Sequence, residues 1–146
     1  MNLNELAKEI KACQRCALRA EATQPVPGIG NPNAKILILG EAPGKQEDAC
    51  GVPFVGLSGK RLDKLMALAH IDVNDCYFTN VCKCRPPTNR TPKKAERLCC
   101  YPWLRQELAL ILPSQIITLG ATPLSLFTEQ GISQLHGTSF MYELDV

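Results

Sequence analysis

The chain alternates between amphipathic segments with helical spacing and short runs that are continuously apolar. In the first segment Leu6, Ile10 and Cys13 recur at intervals of four and three, which predicts an amphipathic helix that Asn4 can cap. Three apolar runs of strand length occur further along. KILILG suits a strand buried on both faces, CYFTNV predicts the second strand, and SQIITLG predicts a third, buried strand.

Helical patterns lie between and after these runs. Ser58 can cap a helix whose apolar face is formed by Leu62, Leu65, Met66 and Ala69. Thr91-Pro92 predicts the start of a longer helix, which Pro102 is expected to kink or break. ATPLSLFTEQG predicts a short helix closed by Gly131. This alternation predicts a single α/β domain over residues 1–146 with a mostly parallel sheet.

Ligands of such sheets lie at the carboxyl ends of the strands, where GEAPGKQEDACGVPFVG follows the first apolar run. This loop does not match a nucleotide phosphate loop, because Phe54 stands at the position of the first glycine and Arg61 follows Gly59-Lys60. No nucleotide cofactor is therefore expected. The acids of the loop suit a neutral base, a sugar that becomes positively charged in the transition state, or a bound water.

The net charge of +2 conceals a strongly basic segment over residues 83–97, which has six cationic side chains against one acid. Such a concentration of positive charge favours binding of an anionic partner over a solvent-exposed loop without a partner. No apolar run approaches the roughly 18–20 residues of a membrane span, so no membrane partner is expected. The polar amphipathic N-terminus differs from a signal peptide, and a cytoplasmic location is the default expectation.

Eight cysteines in a cytoplasmic chain favour metal binding or isolated thiols over disulfides. Cys13 and Cys16 form a Cys-x-x-Cys pair, and Cys84 and Cys100 could complete a set of four. Zinc sites usually combine two close pairs, whereas 67 residues separate Cys16 from Cys84 here. An iron–sulfur cluster tolerates such dispersed ligands. Zinc and simple buried thiols stay open as alternatives.

Four segments, in this order and spacing, resemble the family-4 uracil-DNA glycosylases, which carry an iron–sulfur cluster: the Cys13/Cys16 pair, GEAPGKQEDACGVPFVG, FTNVCKCRPPTNRTP and IITLGATPL. The similarity runs from about residue 8 to residue 145. It implies a three-layer α/β/α fold, removal of uracil from DNA in base excision repair, and a [4Fe–4S] cluster. Because CYPWL matches the Cys-x-Pro-aromatic-Leu pattern of the family, Cys100 is favoured over Cys99 as the fourth ligand.

The resemblance also assigns roles around the base. Phe54 would stack on uracil, and Asn80 would read its hydrogen-bonding edge, which is reversed in cytosine. Glu47 would exclude the methyl group of thymine, and the backbone amide near Ala42 would hold uracil O2. The alternatives are a core phenylalanine, an asparagine that only caps a helix or turn, and solvated acids at Glu47 and Asp48.

For catalysis, the resemblance implies that Glu41 organises the site and its water, while Asn89 positions the attacking water. A carboxylate at residue 41 would also favour positive charge on the sugar. Five cations are expected to contact DNA phosphates: Lys60, Arg61, Lys83, Arg85 and Arg90.

Members of the family carry a second catalytic motif, His-Pro-Ser, after a fourth strand, and this chain contains no such motif. We therefore expect a three-layer domain in which the C-terminal strand and helix are missing, as in a truncated or degenerate member or a chain completed by another subunit. Loss of the histidine donor would cost about 10²- to 10³-fold in rate. The alternative to a hydrolase of N-glycosidic bonds is thus a weak or inactive homologue that acts as an iron–sulfur DNA-binding module.

Overall fold

The computed structural model describes residues 1–146 and contains one four-stranded sheet. The strands are β1 (Ile29–Gly30), β2 (Ile36–Gly40), β3 (Cys76–Asn80) and β4 (Gln115–Thr118). The helices are α1 (Leu3–Lys11), α2 (Leu18–Glu21), α3 (Lys45–Cys50), α4 (Leu57–Leu68), α5 (Lys94–Ile111), α6 (Ala121–Leu124) and α7 (Ile132–Leu135), and short 3-10 turns span Val73–Asp75 and Pro87–Asn89. None of the helices combines the length and the apolar character that crossing a bilayer requires.

The sheet has the strand order β1-β3-β2-β4. The strand β2 pairs in parallel with both β3 and β4, whereas β1 pairs antiparallel with β3. The mostly parallel sheet is thus confirmed, with β1 as an unpredicted addition. Gly40 lies opposite Asn80 in the register, so the carboxyl ends of β2 and β3 are level with each other.

Helices cover both faces of the sheet. Successive side chains of a strand point to opposite faces, so the apolar residues of β2 pack against helices on both sides. Leu37 and Leu39 belong to a core cluster shared with α1 and α5, whereas Ile38 packs with Leu62 and Met66 of α4. This division explains why β2 is apolar at every position rather than at alternate positions. The predicted three-layer α/β/α arrangement is confirmed.

Two helices begin earlier than their sequence signals suggested. Asn2, not Asn4, caps α1, because its side chain accepts the backbone N–H of Glu5 while the Glu5 carboxylate accepts the N–H of Asn2. Gly56 precedes α4, so Ser58 lies inside the first turn rather than at the cap. The freed Ser58 side chain instead lines a cavity described below.

The long helix α5 starts after Lys93 and continues through Pro102 without a break. Pro102 lacks the N–H that would bond to the carbonyl of Leu98, but Leu98 is exposed and water can bond to that carbonyl. The helix α6 ends at Leu124, where 3-10 bonds tighten the chain, and Gly131 precedes α7 instead of closing α6. Of the kink or break expected at Pro102, a break is therefore excluded, and the expected helix end at Gly131 was wrong.

Candidate functional site

A cavity of about 360 Å³ opens at the carboxyl ends of β2 and β3, where a parallel sheet is expected to bind its ligand. Its wall combines carboxylates, amides, one aromatic ring and one guanidinium. The lining residues are Gly40, Glu41, Ala42, Pro43, Gly44, Glu47, Phe54, Ser58, Asn80, Pro86, Asn89, Arg90 and Leu119. All six residues that the sequence assigned to catalysis or base binding therefore lie around one cavity.

Gly40 allows an aromatic ring and an amide to lie directly over the end of β2. A Cβ atom at residue 40 would collide with Oδ1 of Asn80 and would lie 2.8 Å from Cζ of Phe54. Phe54 has a left-handed φ of 57°, and its half-buried ring packs edge-on against Phe78 with 6.0 Å between the ring centroids. The ring and the amide are thus held side by side at the cavity wall.

The helix α4 packs directly against the loop that carries Phe54. A Cβ atom at Gly59 would collide with the carbonyl group of Phe54, so the helix backbone touches the loop backbone directly. Lys60 and Arg61 follow on the same helix and are exposed, which leaves both cations free to meet a polyanion. A glycine at residue 59 therefore joins the aromatic ring to a cationic helix.

The two neighbouring acids Glu47 and Asp48 have different surroundings. Glu47 is half-buried and lines the cavity, with its carboxylate packed over Gly44 and Gly56. Asp48 is 7% exposed and accepts a hydrogen bond of 2.9 Å from the backbone N–H of Thr23. The alternative of solvated surface acids is wrong for Asp48, which ties α3 to the loop before β1.

Glu41 follows the last residue of β2 and is oriented by a side chain from another element. The Thr122 hydroxyl, on α6, donates a hydrogen bond of 2.5 Å to Oε2 of Glu41. The backbone carbonyl of Glu41 also accepts the N–H of Cys82. Thr122 is buried, so this hydrogen bond is sheltered from competition by bulk water.

Asn89 lies in a strained turn at the cavity mouth. Thr88 and Asn89 both have left-handed φ values, of 53° and 57°, and Oδ1 of Asn89 accepts a hydrogen bond of 2.7 Å from Nε of Arg85. Arg90 makes a bidentate ion pair with Glu96 at 2.7 and 2.9 Å. This guanidinium is the main reason that the pKa of Glu96 is lowered to about 2. Both arginines are half-buried, and each is already paired within the protein.

Lys83 does not lie on the surface, so the prediction that it contacts phosphates is wrong. Its side chain is 1% exposed. The ammonium donates to Oε2 of Glu107 at 2.6 Å, to Oγ1 of Thr79 at 2.6 Å and to the carbonyl of Asn80 at 2.7 Å. Lys83 follows the end of β3 by three residues, with buried Val81 and Cys82 between, and the local charge pattern gave no sign that it would lie inside the domain.

The four cysteines predicted as ligands come from three parts of the chain and converge at one edge of the main core. Cys13 and Cys16 follow α1 and are half-buried, while Cys84 and Cys100 are buried. Burial raises the pKa of the Cys84 thiol to about 12, and the neighbouring thiols of Cys100, Cys16 and Cys13 add to this effect. Cys99, the rejected candidate, is exposed.

Two N–H groups point at these sulfurs. The indole Nε1 of Trp103 donates to Sγ of Cys13 at 3.2 Å, and the backbone N–H of Lys83 donates to Sγ of Cys100 at 3.1 Å. The Arg15 guanidinium lies 4.1 Å above the Trp103 ring. As placed, no three His, Cys, Asp or Glu side chains are close enough together to hold a single metal ion. The N–H donors at Cys13 and Cys100 would stabilise negative charge on the two sulfurs.

Sequence reasoning missed three residues of these sites. Thr122 could have been found, because the end of β4 must lie beside the end of β2 in a parallel sheet. Trp103 is three residues after Cys100 in CYPWL, a spacing that places both on one helix face. Glu107 had no local signal, since an acid in an amphipathic helix normally faces solvent.

Comparison with known proteins identifies one family and several similar proteins of one type. The family description "Uracil DNA glycosylase superfamily" matches residues 27–143. A "Type-4 uracil-DNA glycosylase" of Saccharolobus solfataricus is 45% identical over 120 residues, which cover 82% of this chain and 56% of that protein. Proteins of the same name from Archaeoglobus fulgidus and Thermotoga maritima are 44% and 41% identical, covering 82% and 85% of this chain and 60% and 65% of theirs. The chain thus spans less than two thirds of the length of these relatives.

Proposed function

The chain belongs to the uracil-DNA glycosylase superfamily and to its type-4 group, and from this premise we propose that it removes uracil from DNA. Uracil would be flipped out of the helix into the cavity at the ends of β2 and β3, and the bond to the deoxyribose would be hydrolysed. The observation that carries this proposal is the grouping of a ring, an amide and a carboxylate around one cavity.

The cavity wall offers what recognition of uracil requires. Phe54 would stack on the base, a contact that contributes about 1–3 kcal/mol. The Asn80 amide would accept from N3–H and donate to O4, and cytosine would mismatch both groups. Glu47 would crowd C5 and so exclude the thymine methyl, while the backbone amide near Ala42 would bind O2.

Catalysis would depend on Glu41 and Asn89. Glu41 would hold the attacking water and stabilise positive charge on the sugar, and Thr122 would keep its carboxylate in place. Arg85 occupies Oδ1 of Asn89, which leaves the amide nitrogen to donate to the water. Both residues are at the cavity wall, where the sugar of a flipped nucleotide would lie.

Exposed cations beside the cavity would bind the phosphates. Lys60 and Arg61 have no ion-pair partner in the protein, whereas Arg85 and Arg90 would contribute only the donors that their own pairings leave free. Lys83 is withdrawn from this set because it is buried. Replacing Lys60 alone, or Arg61 alone, should therefore reduce the salt dependence of DNA binding more than replacing Arg85 alone.

A [4Fe–4S] cluster would be held by Cys13, Cys16, Cys84 and Cys100. The fit is supported by the position of all four cysteines at the main core cluster and by the N–H donors aimed at two of their sulfurs. Cys100 is preferred over Cys99 because Cys100 is buried in the same core cluster as Cys84, whereas Cys99 is exposed. When bound, the cluster would tie the N-terminal segment to α5 and to the segment after β3.

Excision of uracil can be tested with an oligonucleotide that contains one deoxyuridine, followed by hot alkali to cut abasic sites. We expect a nick with the unaltered protein and none with thymine at the same position. Glu41→Gln should slow excision by about 10²-fold or more, and the control Glu9→Gln, an exposed acid on α1, should have no effect. No nick at stoichiometric protein would reject the proposed activity.

The cluster can be tested separately on anaerobically purified protein by measuring iron, labile sulfide and zinc. We expect iron and sulfide in the unaltered protein and loss of both in Cys84→Ser. Cys50→Ser is the matched control, since Cys50 is exposed and lies outside the cysteine group. Zinc without sulfide, or no metal at all, would contradict the cluster without bearing on excision.

A further inference from the structure

Lys83 and Glu107 form an ion pair that is sealed inside the domain, with 1% and 0% of the two residues exposed. The distance from Nζ of Lys83 to Oε2 of Glu107 is 2.6 Å. The other two N–H groups of the ammonium donate to Oγ1 of Thr79 and to the carbonyl of Asn80, so all three donors have acceptors. An isolated charge at this depth would be strongly unfavourable, and the pairing compensates for it.

Glu107 is as fully bonded as its partner. Its Oε2 also accepts the hydroxyl of Thr79 at 2.8 Å, and its Oε1 accepts the backbone N–H of Gly28 at 2.9 Å and the hydroxyl of Tyr77 at 3.3 Å. The carboxylate on α5 thereby joins the loop before β1 to β3. Because every bond on both sides is satisfied, the ammonium has one defined position.

Lys83 also lies between the two candidate sites. Its backbone N–H donates to Sγ of Cys100, and its ammonium holds the carbonyl at the end of β3. That carbonyl belongs to Asn80, whose amide lies at the cavity wall beside Phe54. Fixing the carbonyl fixes the peptide plane after Asn80 and limits the directions available to its side chain.

We propose that Lys83, anchored by Glu107, is a positioning residue that orients Asn80 for reading the edge of the base. The inference rests on the proposed function, since it concerns the same cavity. Neither residue touches the base, and both act through the backbone of Asn80. A merely structural ion pair would affect stability and leave the discrimination between uracil and cytosine unchanged.

The test uses oligonucleotides that carry either 2′-deoxypseudouridine, a C-nucleoside with the uracil edge and no bond to hydrolyse, or deoxycytidine. Lys83→Met with Glu107→Gln removes both charges at similar side-chain length, and the amide oxygen introduced by Glu107→Gln can still accept the N–H of Gly28. Tyr77→Phe is the control, because it removes one bond to Glu107 but leaves the contact with Asn80. Affinity for both oligonucleotides and thermal unfolding are measured for each variant.

We expect the preference for pseudouridine over cytosine to fall about tenfold in the double variant, with unchanged affinity for the cytosine oligonucleotide. The Tyr77→Phe control should keep the full preference. If the double variant does not fold, Glu107→Asp alone serves, because it keeps the buried charge paired but draws the carboxylate one methylene away from Lys83, and a fall of about threefold or more supports the inference.

An unchanged preference in the folded variant would overturn the inference and leave the proposed function intact. An equal loss in Tyr77→Phe would also overturn it, since any disturbance of the network would then suffice. No preference in the unaltered protein would instead reject base recognition itself, and the inference would fail with it.

Discussion

Replacing Gly40 with alanine adds a single methyl group at the centre of the proposed base site. The new Cβ would collide with Oδ1 of Asn80 and would lie 2.8 Å from Cζ of Phe54, so one or both side chains must move. Gly40 needs no left-handed φ, and the collision alone therefore limits this position. Displacing the ring would forfeit about 1–3 kcal/mol of stacking, and displacing the amide would forfeit about 0.5–1.5 kcal/mol for each hydrogen bond to the base.

Either outcome should weaken binding of an oligonucleotide with 2′-deoxypseudouridine by about 5- to 150-fold. Binding of the same oligonucleotide with thymine should not change, because the cations that we propose bind the phosphates lie away from residue 40. Gly131→Ala is the matched control, since a Cβ there meets only Ser133 at 3.9 Å. Fluorescence anisotropy at fixed salt measures both affinities. If Gly40→Ala binds the pseudouridine oligonucleotide as tightly as the unaltered protein, Phe54 and Asn80 do not form the base site.

Three further perturbations follow from the side-chain contacts. Thr122→Val removes the hydrogen bond to the Glu41 carboxylate and should slow single-turnover excision by about tenfold or more, with unchanged affinity for the uncleavable oligonucleotide. Glu107→Leu leaves Lys83 buried without its counter-ion and should lower the free energy of unfolding in urea by about 3–5 kcal/mol; a loss below about 1 kcal/mol would contradict this. The depressed pKa of Glu96 means that its pair with Arg90 stabilises the fold above the ordinary carboxyl pKa and is lost as the pH falls towards 2. Thermal unfolding midpoints of Glu96→Gln should therefore lie below those of the unaltered protein at neutral pH and converge with them near pH 2.

The layout of the fold could be predicted from the sequence because it depends on hydrophobic spacing. The apolar run at residues 35–40 has no polar side other than its first residue, and a strand of that kind must be covered on both faces. The parallel order then placed Glu41 and Asn80 at one edge, which is where the cavity lies. The start of α1 was misplaced because Asn2 and Asn4 are equally good caps, and only Asn2 has an acid at the correct spacing.

The surroundings of the ionisable groups could not be predicted in the same way. Lys83 and Arg85 stand two residues apart in one basic segment, yet one is sealed in the core and the other is half-buried at the cavity mouth. What separates them is Glu107, which is 24 residues further along and becomes a partner only when α5 packs on the sheet. Charge patterns therefore indicated an anionic partner for the segment as a whole and did not identify the residues that reach it.

The bare backbone of Gly59 lets α4 pack directly against the backbone of the Phe54 loop. Lys60 and Arg61 follow Gly59 on this helix, so a phosphate bound by them would lie at a nearly fixed distance from the Phe54 ring, which we propose stacks on the base. The helix would therefore set the register of the DNA strand. A nucleotide would reach the Phe54 ring only when Lys60 and Arg61 bind the neighbouring phosphates. An insertion or a flexible substitution between Phe54 and Lys60 would uncouple phosphate binding from base binding. The protein would then bind DNA without recognising its bases.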